Sequence, residues 1–196
     1  MPSTKAHLPV LGFASSAEWE AWLDAQSTTS KGVWLKLAKA ASGIPSISKQ
    51  EAIDGALCHG WIDGQLDKFD ANHWLTRFTP RRPGARWSQD NRERALALIK
   101  LGRMRPAGMR AIEQAKHAGR WEAAYAPQSK ATVPKDLQSA LDRSPRAKRH
   151  FDRLDSRNRY AILYRVQDAK KPETRAQRIE KYVTMLARGE TIHPTK

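Results

Sequence analysis

Apolar residues recur along this chain at two different periods, and the change of period falls near its middle. Behind Ser15-Ser16-Ala17-Glu18, a capping-box spacing, Trp19, Trp22 and Leu23 stand at i, i+3 and i+4 and predict a helix over about 16–26 with one buried stripe. Gly32 to Ala38 is rich in β-formers and predicts a strand, with Trp34 as a core or sheet residue. A second capping box, Ser48-Lys49-Gln50-Glu51, opens a helix through Ala52, Ile53, Ala56 and Leu57 that Gly60 closes at C′. Trp61-Ile62-Asp63 and Trp74 to Thr79 follow as two short strands around a polar loop containing Gly64, Asp67, Asp70 and Asn72, and an antiparallel pair is expected.

Pro80-Arg81-Arg82-Pro83-Gly84 is stiff and extended, because each proline restricts itself and its predecessor. Beyond it only the helical period appears. Ser88 caps a helix carrying Ala95, Leu96, Leu98 and Ile99 that stops at Gly102, and Pro106 sits as N1 of a helix reaching His117 and Gly119, so a helical hairpin is expected. Arg120 to Tyr125 is a short amphipathic piece and Ala126 to Asp136 reads as a linker. Helices are then expected from Pro134 through Leu141, from Pro145 to about Leu154, from Ser156 through Val166, and from Pro172 through Leu186 to Gly189. The fold class is α+β: a small antiparallel sheet with covering helices, then an all-helical C-terminal part. The expected domains are 1–125, α+β with the hairpin, and 126–196, helical.

Composition and charge change this picture in one respect. With 40% hydrophobic and 28% charged residues, 196 residues can bury a proper core, and no run approaches a membrane span, so no membrane insertion is expected. The first sixteen residues hold one lysine and a four-residue apolar run, too short for a signal peptide, and the single Cys58 allows no internal disulfide, so a cytoplasmic location is expected. The net charge of +15 is uneven, since residues 1–80 hold 7 Lys/Arg against 8 Asp/Glu and residues 81–196 hold 28 against 12. Such asymmetry points to an anionic partner, either an anionic small molecule, an acidic protein or nucleic acid bound by 81–196, or else to solvated helix faces.

Neither G-x-S-x-G, a Walker loop, G-x-G-x-x-G, H-E-x-x-H nor a cysteine pair occurs, and no cofactor or metal is expected. Cys58 and His59 are adjacent on a helix, where neighbours point about 100° apart, so Cys58 reads as a structural thiol. What remains is a concentration of indoles, an acid and guanidinium groups in Trp61, Asp63, Arg77, Thr79, Arg81, Arg82 and Trp87. Alternate strand residues share a face, so pairing of the two strands is expected to gather an indole, a carboxylate, a guanidinium and a hydroxyl on one side. Planar forks beside aromatic walls suit a carboxylate or phosphate, while the structural alternative is an Asp63–arginine ion pair with the tryptophans as core. An enzyme using Asp63 as acid or base is a further alternative. A secondary anion site is expected at Lys171, Thr174, Arg175 and Arg178, where Arg175 and Arg178 share a face beside a helix N-terminus.

Two blocks carry a family likeness. Glu51-Ala52 to Ala56-Leu57-Cys58, Gly60 to Gly64, Arg77 to Pro83, Trp87-Ser88 and Asn91 form the first. Ala169 to Arg175, Arg178 to Lys181, Met185-Leu186 and Gly189 form the second. Together, over about residues 11–190, the chain resembles the YdeI/OmpD-associated, bacteriocin-protection family. The resemblance implies an association with an outer-membrane porin and with resistance to antimicrobial peptides or bacteriocins, and it carries no catalytic residues to this chain. A non-enzymatic binding protein of the envelope-stress type is the function expected.

Overall fold

A computed structural model describes residues 8–26 and 29–194. Met1 to His7, part of the N-terminal stretch read for a signal peptide, lie outside the described residues, as do Ser27-Thr28 and Thr195-Lys196. The chain divides into two compact units, Met1–Ala124 and Tyr125–Lys196.

The first unit is built on a four-stranded mixed sheet. Its strands are β1 (Val10–Leu11), β2 (Val33–Ala38), β3 (Trp61–Lys68) and β4 (His73–Pro80), in the order β1-β2-β4-β3. Helices α1 (Ser16–Gln26) and α2 (Lys49–Cys58) belong to the same unit, with α3 (Gln89–Lys100) and α4 (Pro106–His117) after the sheet. The α+β class is as expected. The two-residue β1 is not legible in the sequence, because it pairs parallel to β2 through Val10–Trp34 and Leu11–Leu35 and carries no alternation of its own. The Ser48–Glu51 capping box forms, and at α1 only its Ser15 half does. Ser48 accepts from the Glu51 amide while Glu51 accepts from the Ser48 amide, which holds the Glu51 carboxyl below its usual range; at α1, Ser15 accepts from Glu18 while Glu18 reaches back to Ala14.

β3 runs further than expected. The supposed loop Gly64–Lys68 is strand, with one extra residue between the pairs Asp63–Phe78 and Leu66–Thr76, a β-bulge at Gly64-Gln65. Val33, Leu35, Leu37, Trp61 and Phe78 face one way and pack with Trp19, Leu23, Ile47, Ala52 and Ala56 into one core. A second core gathers Leu57, Cys58, Trp87, Ala95, Leu98, Ile112, Ala115 and Trp121.

The second unit is helical, with α5 (Lys135–Asp142), α6 (Pro145–Asp152), α7 (Ser156–Gln167) and α8 (Pro172–Ala187) around Leu137, Leu141, Phe151, Ile162, Val166, Tyr182 and Leu186. Pro145 and Pro172 start their helices at N1, where a missing N–H costs nothing. No helix among the described residues is long and apolar enough to cross a membrane.

Candidate functional site

The 61–88 stretch does not present the single face that alternation suggested. In the β3–β4 register Ile62 opposes Thr79 and Asp63 opposes Phe78, and opposed residues share a face. Trp61 and Asp63 therefore lie on the core side with Phe78, while Arg77 and Thr79 lie on the other side with Ile62 and Trp34. Pairing alternates strictly, so an offset of one residue moves a whole set across the sheet.

Two of the three tryptophans are interior. Trp61 is 1% exposed and meets Trp22 edge-on at 5.7 Å, and Trp87 is 1% exposed and meets Trp121 at 4.8 Å. Arg81 is buried as well: its guanidinium lies 3.9 Å from the Trp87 ring centre and Nη1 donates to the Arg86 carbonyl at 2.8 Å. Its own amide donates to Gly60, which joins the end of α2 to the start of the 81–88 segment. Asp63 has Lys49, at 4.0 Å, as its ion-pair partner rather than an arginine. Arg77 reaches Gln65 Oε1 at 3.5 Å, Thr79 is half-buried and Arg82 is exposed. The stretch thus ties the two cores of the first unit together, with Arg77 and Thr79 partly exposed on one side of the sheet, Asp63 partly exposed on the other and Arg82 exposed beyond the end of β4.

Cys58 and His59 are likewise committed to packing. The Cys58 thiol is buried, and burial pushes its pKa up from 9.0 to about 11. His59 Nδ1 lies 2.7 Å from the Gly55 carbonyl and Nε2 lies 2.9 Å from Asp24 Oδ1, so both ring nitrogens face acceptors and neither is open to a substrate. Arg105, the N-cap of α4, donates to the other oxygen of Asp24. A thiol that ionises at 9.0 when unfolded and near 11 when folded lets the unfolded chain release a proton first. Stability therefore falls as pH rises through that window, by about 1.4 kcal/mol per pH unit. Denaturant titrations from pH 8 to 11 are expected to show this extra slope in the native chain and not in Cys58→Ala, whereas equal slopes would place the thiol in a polar setting.

In the second unit, Arg175 and Arg178 share a face of α8 as their spacing predicts, but that face is occupied. Arg175 grips Asp136 with two nitrogens, Nη2 donating to Oδ1 at 2.9 Å, and its Nη1 donates to the Val166 carbonyl. That fork holds the Asp136 carboxyl below the usual carboxylate range. Arg178 donates to the Arg165 carbonyl and to Asp168. Both arginines thereby satisfy carbonyls in the last turn of α7, which α7 itself cannot reach. Lys171 caps α8 through its backbone alone and, like Thr174, lines no cavity described here.

Beside that clamp lies a groove of about 600 Å³ between α5 and α8. Pro172, Ala176, Ile179 and Val183, spaced by 4, 3 and 4, form its floor on α8, with Ala140 facing them from α5. Its rim is polar. Asp136 and Arg175 close on each other there, Arg143 and Ser144 stand at the end of α5, and Glu180 and Thr184 rise from α8. The sequence offered no local sign of it, since Ala176, Ile179 and Val183 carry the ordinary spacing of a core face. Among the described residues no group of three or more His, Cys, Asp or Glu is placed to hold a metal ion.

Two family models match the chain, one within each of its two units. Residues 11–111, just over half of the chain, match the family described as a domain of unknown function (DUF8412), and the chain belongs to that family. Residues 130–189 match a second family model, described as "Bacteriocin-protection, YdeI or OmpD-Associated". The resemblance read from the second motif block is therefore borne out over α5 to α8, while the first block falls in the other family. No curated protein and no solved structure matches the chain.

Proposed function

We propose that this chain is a non-enzymatic cytoplasmic binding protein of the bacteriocin-protection, envelope-associated type, which takes an acidic amphipathic ligand in the α5–α8 groove. The match over residues 130–189 fits that role and contains the whole groove. One observation carries the reading: a cavity of about 600 Å³ with an apolar floor, in the range of about 300–1,000 Å³ typical of small-molecule sites. The preference for an acid rests on charge. The second unit holds 17 Lys/Arg against 8 Asp/Glu, the Asp136 carboxylate is already neutralised by Arg175, and Arg143 is exposed at the rim with no ion pair among the described residues. Glu180 on the opposite wall repels a carboxylate and so directs it toward Arg143. Relative to the expectation from sequence, the anion is kept and its place moves from 61–88 to the helical unit. The engaged nitrogens of His59 and the raised Cys58 pKa support a binding rather than a catalytic reading.

Decanoate, with decylamine as its cationic counterpart, tests the site. Methyl resonances of Ile179 and Val183 are expected to shift on adding decanoate, Val183→Phe to abolish the shifts by filling the floor, and Arg143→Ala to weaken binding about tenfold, the loss of one charge-assisted hydrogen bond. Equal binding of decylamine, or shifts that avoid the groove, would overturn the assignment.

A further inference from the structure

Several lysines and arginines of this protein have an intramolecular carboxylate partner. Arg94 pairs with Asp54, Arg103 with Glu20, Arg105 with Asp24, Arg175 with Asp136, Arg178 with Asp168, and Lys148 with Asp142. The outer face of α6 differs. Arg146, Arg149 and Arg153 are all exposed, and among the described residues none of the three is in an ion pair. Arg153 is the C-cap of α6 and keeps helical backbone angles, so the spacings of 3 and 4 put the three within about 60° of one another around the helix and along about 10 Å of its axis. Like charges at these spacings repel by a few tenths of a kcal/mol per pair in a helix. Asp142 does not relieve them, being held by Lys148, and Asp152 lies to one side of the stripe. Arg157, exposed in the first turn of α7, extends the same positive field.

The geometry points to the α6 stripe as a contact surface for the phosphate backbone of duplex nucleic acid, independent of the α5–α8 groove. Guanidinium forks suit phosphate oxygens better than lysine does, and three in a row suit a regular series of them. Two features separate this partner from other polyanions. The apolar residues of α6, Ala147 and Phe151, are buried, so the helix has no face with which to enter a lipid surface. Phe151 is also covered by the Arg159 guanidinium at 4.4 Å, so no aromatic platform stands beside the stripe for stacking unpaired bases. Backbone contact without base contact implies binding indifferent to sequence.

Fluorescence anisotropy with a labelled 20-base-pair DNA duplex and the full chain, between 50 and 200 mM NaCl, decides the matter. Three phosphate contacts alone imply an affinity loss of roughly 40-fold over that range. The variant R146A/R149A/R153A is expected to bind at least tenfold more weakly at 50 mM salt, with a log–log salt slope about 3 smaller, and Arg146→Gln alone to reduce the slope by about 1. The control K170A/K171A/K181A removes the same charge from elsewhere on the unit and is expected to lose less than threefold. Equal losses in the two triple variants would reduce the effect to net charge and overturn the assignment. So would a preference for the single strand, or retention by phosphatidylglycerol vesicles in place of the duplex. Circular dichroism of each variant confirms that it is folded, and decanoate binding unchanged in R146A/R149A/R153A separates this surface from the groove.

Discussion

Trp61→Ala is expected to destabilise the protein by about 3–5 kcal/mol, the cost of deleting a large buried aromatic and leaving a cavity. Trp61 lies in the core with Phe78 and Leu35, edge-on to Trp22, and Trp22 stacks in turn on Trp19 at 5.4 Å. Removing it takes one side from an aromatic cluster that also includes Phe13. The surroundings cannot close readily over the gap. Trp19 is fixed by its Nε1–H donating to the Ala52 carbonyl, and Gly55 lets α2 approach within 2.9 Å of that same indole, counted from where a Cβ would stand. Denaturant unfolding measures the loss. Were Trp61 instead a wall of a ligand site, the same variant would keep near-native stability and lose binding, so a small change in stability would mean that Trp61 faces a ligand rather than the core.

The comparison of Trp61 with Arg175 shows which part of this protein the sequence made legible. Local rules located the elements well, because the caps are local chemistry: Ser48 with Glu51, Ser88 accepting from Asn91, Pro106, Pro145 and Pro172 at N1, and Gly60, Gly102, Gly119 and Gly189 with positive φ just past helix ends. The α+β class follows from those elements. The site did not follow, because the surroundings of Asp63, Arg77, Arg175 and Arg178 are set by residues distant in sequence. Whether Asp63 and Arg77 share a face is set by the register of β3 against β4, and the bulge at Gly64-Gln65 is invisible in a polar stretch. Arg175 and Arg178 share one face of α8, as their spacing of three predicts. Their targets, the carbonyls of Val166 and Arg165 and the carboxylates of Asp136 and Asp168, are fixed by the packing of α7 and α5 on α8. The tryptophans at 61–88 therefore signalled packing, Trp61 and Trp87 being buried in the two cores, and the groove lies where the sequence shows only an ordinary apolar spacing.

Gly108→Ala should prove at least as damaging as many core truncations, although it adds a single methyl. α4 crosses the end of α2 so closely that a Cβ on Gly108 would stand 2.3 Å from the Cys58 carbonyl oxygen and 2.8 Å from that of Leu57. Both are backbone atoms and cannot rotate away. The same junction is closed from the other side by Gly60, whose absent Cβ would lie 2.8 Å from the Ala107 carbonyl oxygen, and by the Arg105 amide donating to Cys58. Relief requires α4 to move off α2, which breaks that hydrogen bond and loosens the contacts of Ile112 and Ala115 with Leu57 and Trp87. Overpacking of this kind costs about 1–3 kcal/mol where side chains can yield, and more is expected here because they cannot. Gly102→Ala is the informative control. Nothing lies within 4 Å of its Cβ position, so it meets only the penalty of its φ of 66°, about 1–2 kcal/mol. Thermal and denaturant unfolding of the two variants should rank Gly108→Ala well below Gly102→Ala. The reverse order would mean that α4 does not seat on the end of α2 as described, and that the second core of the first unit is assembled differently.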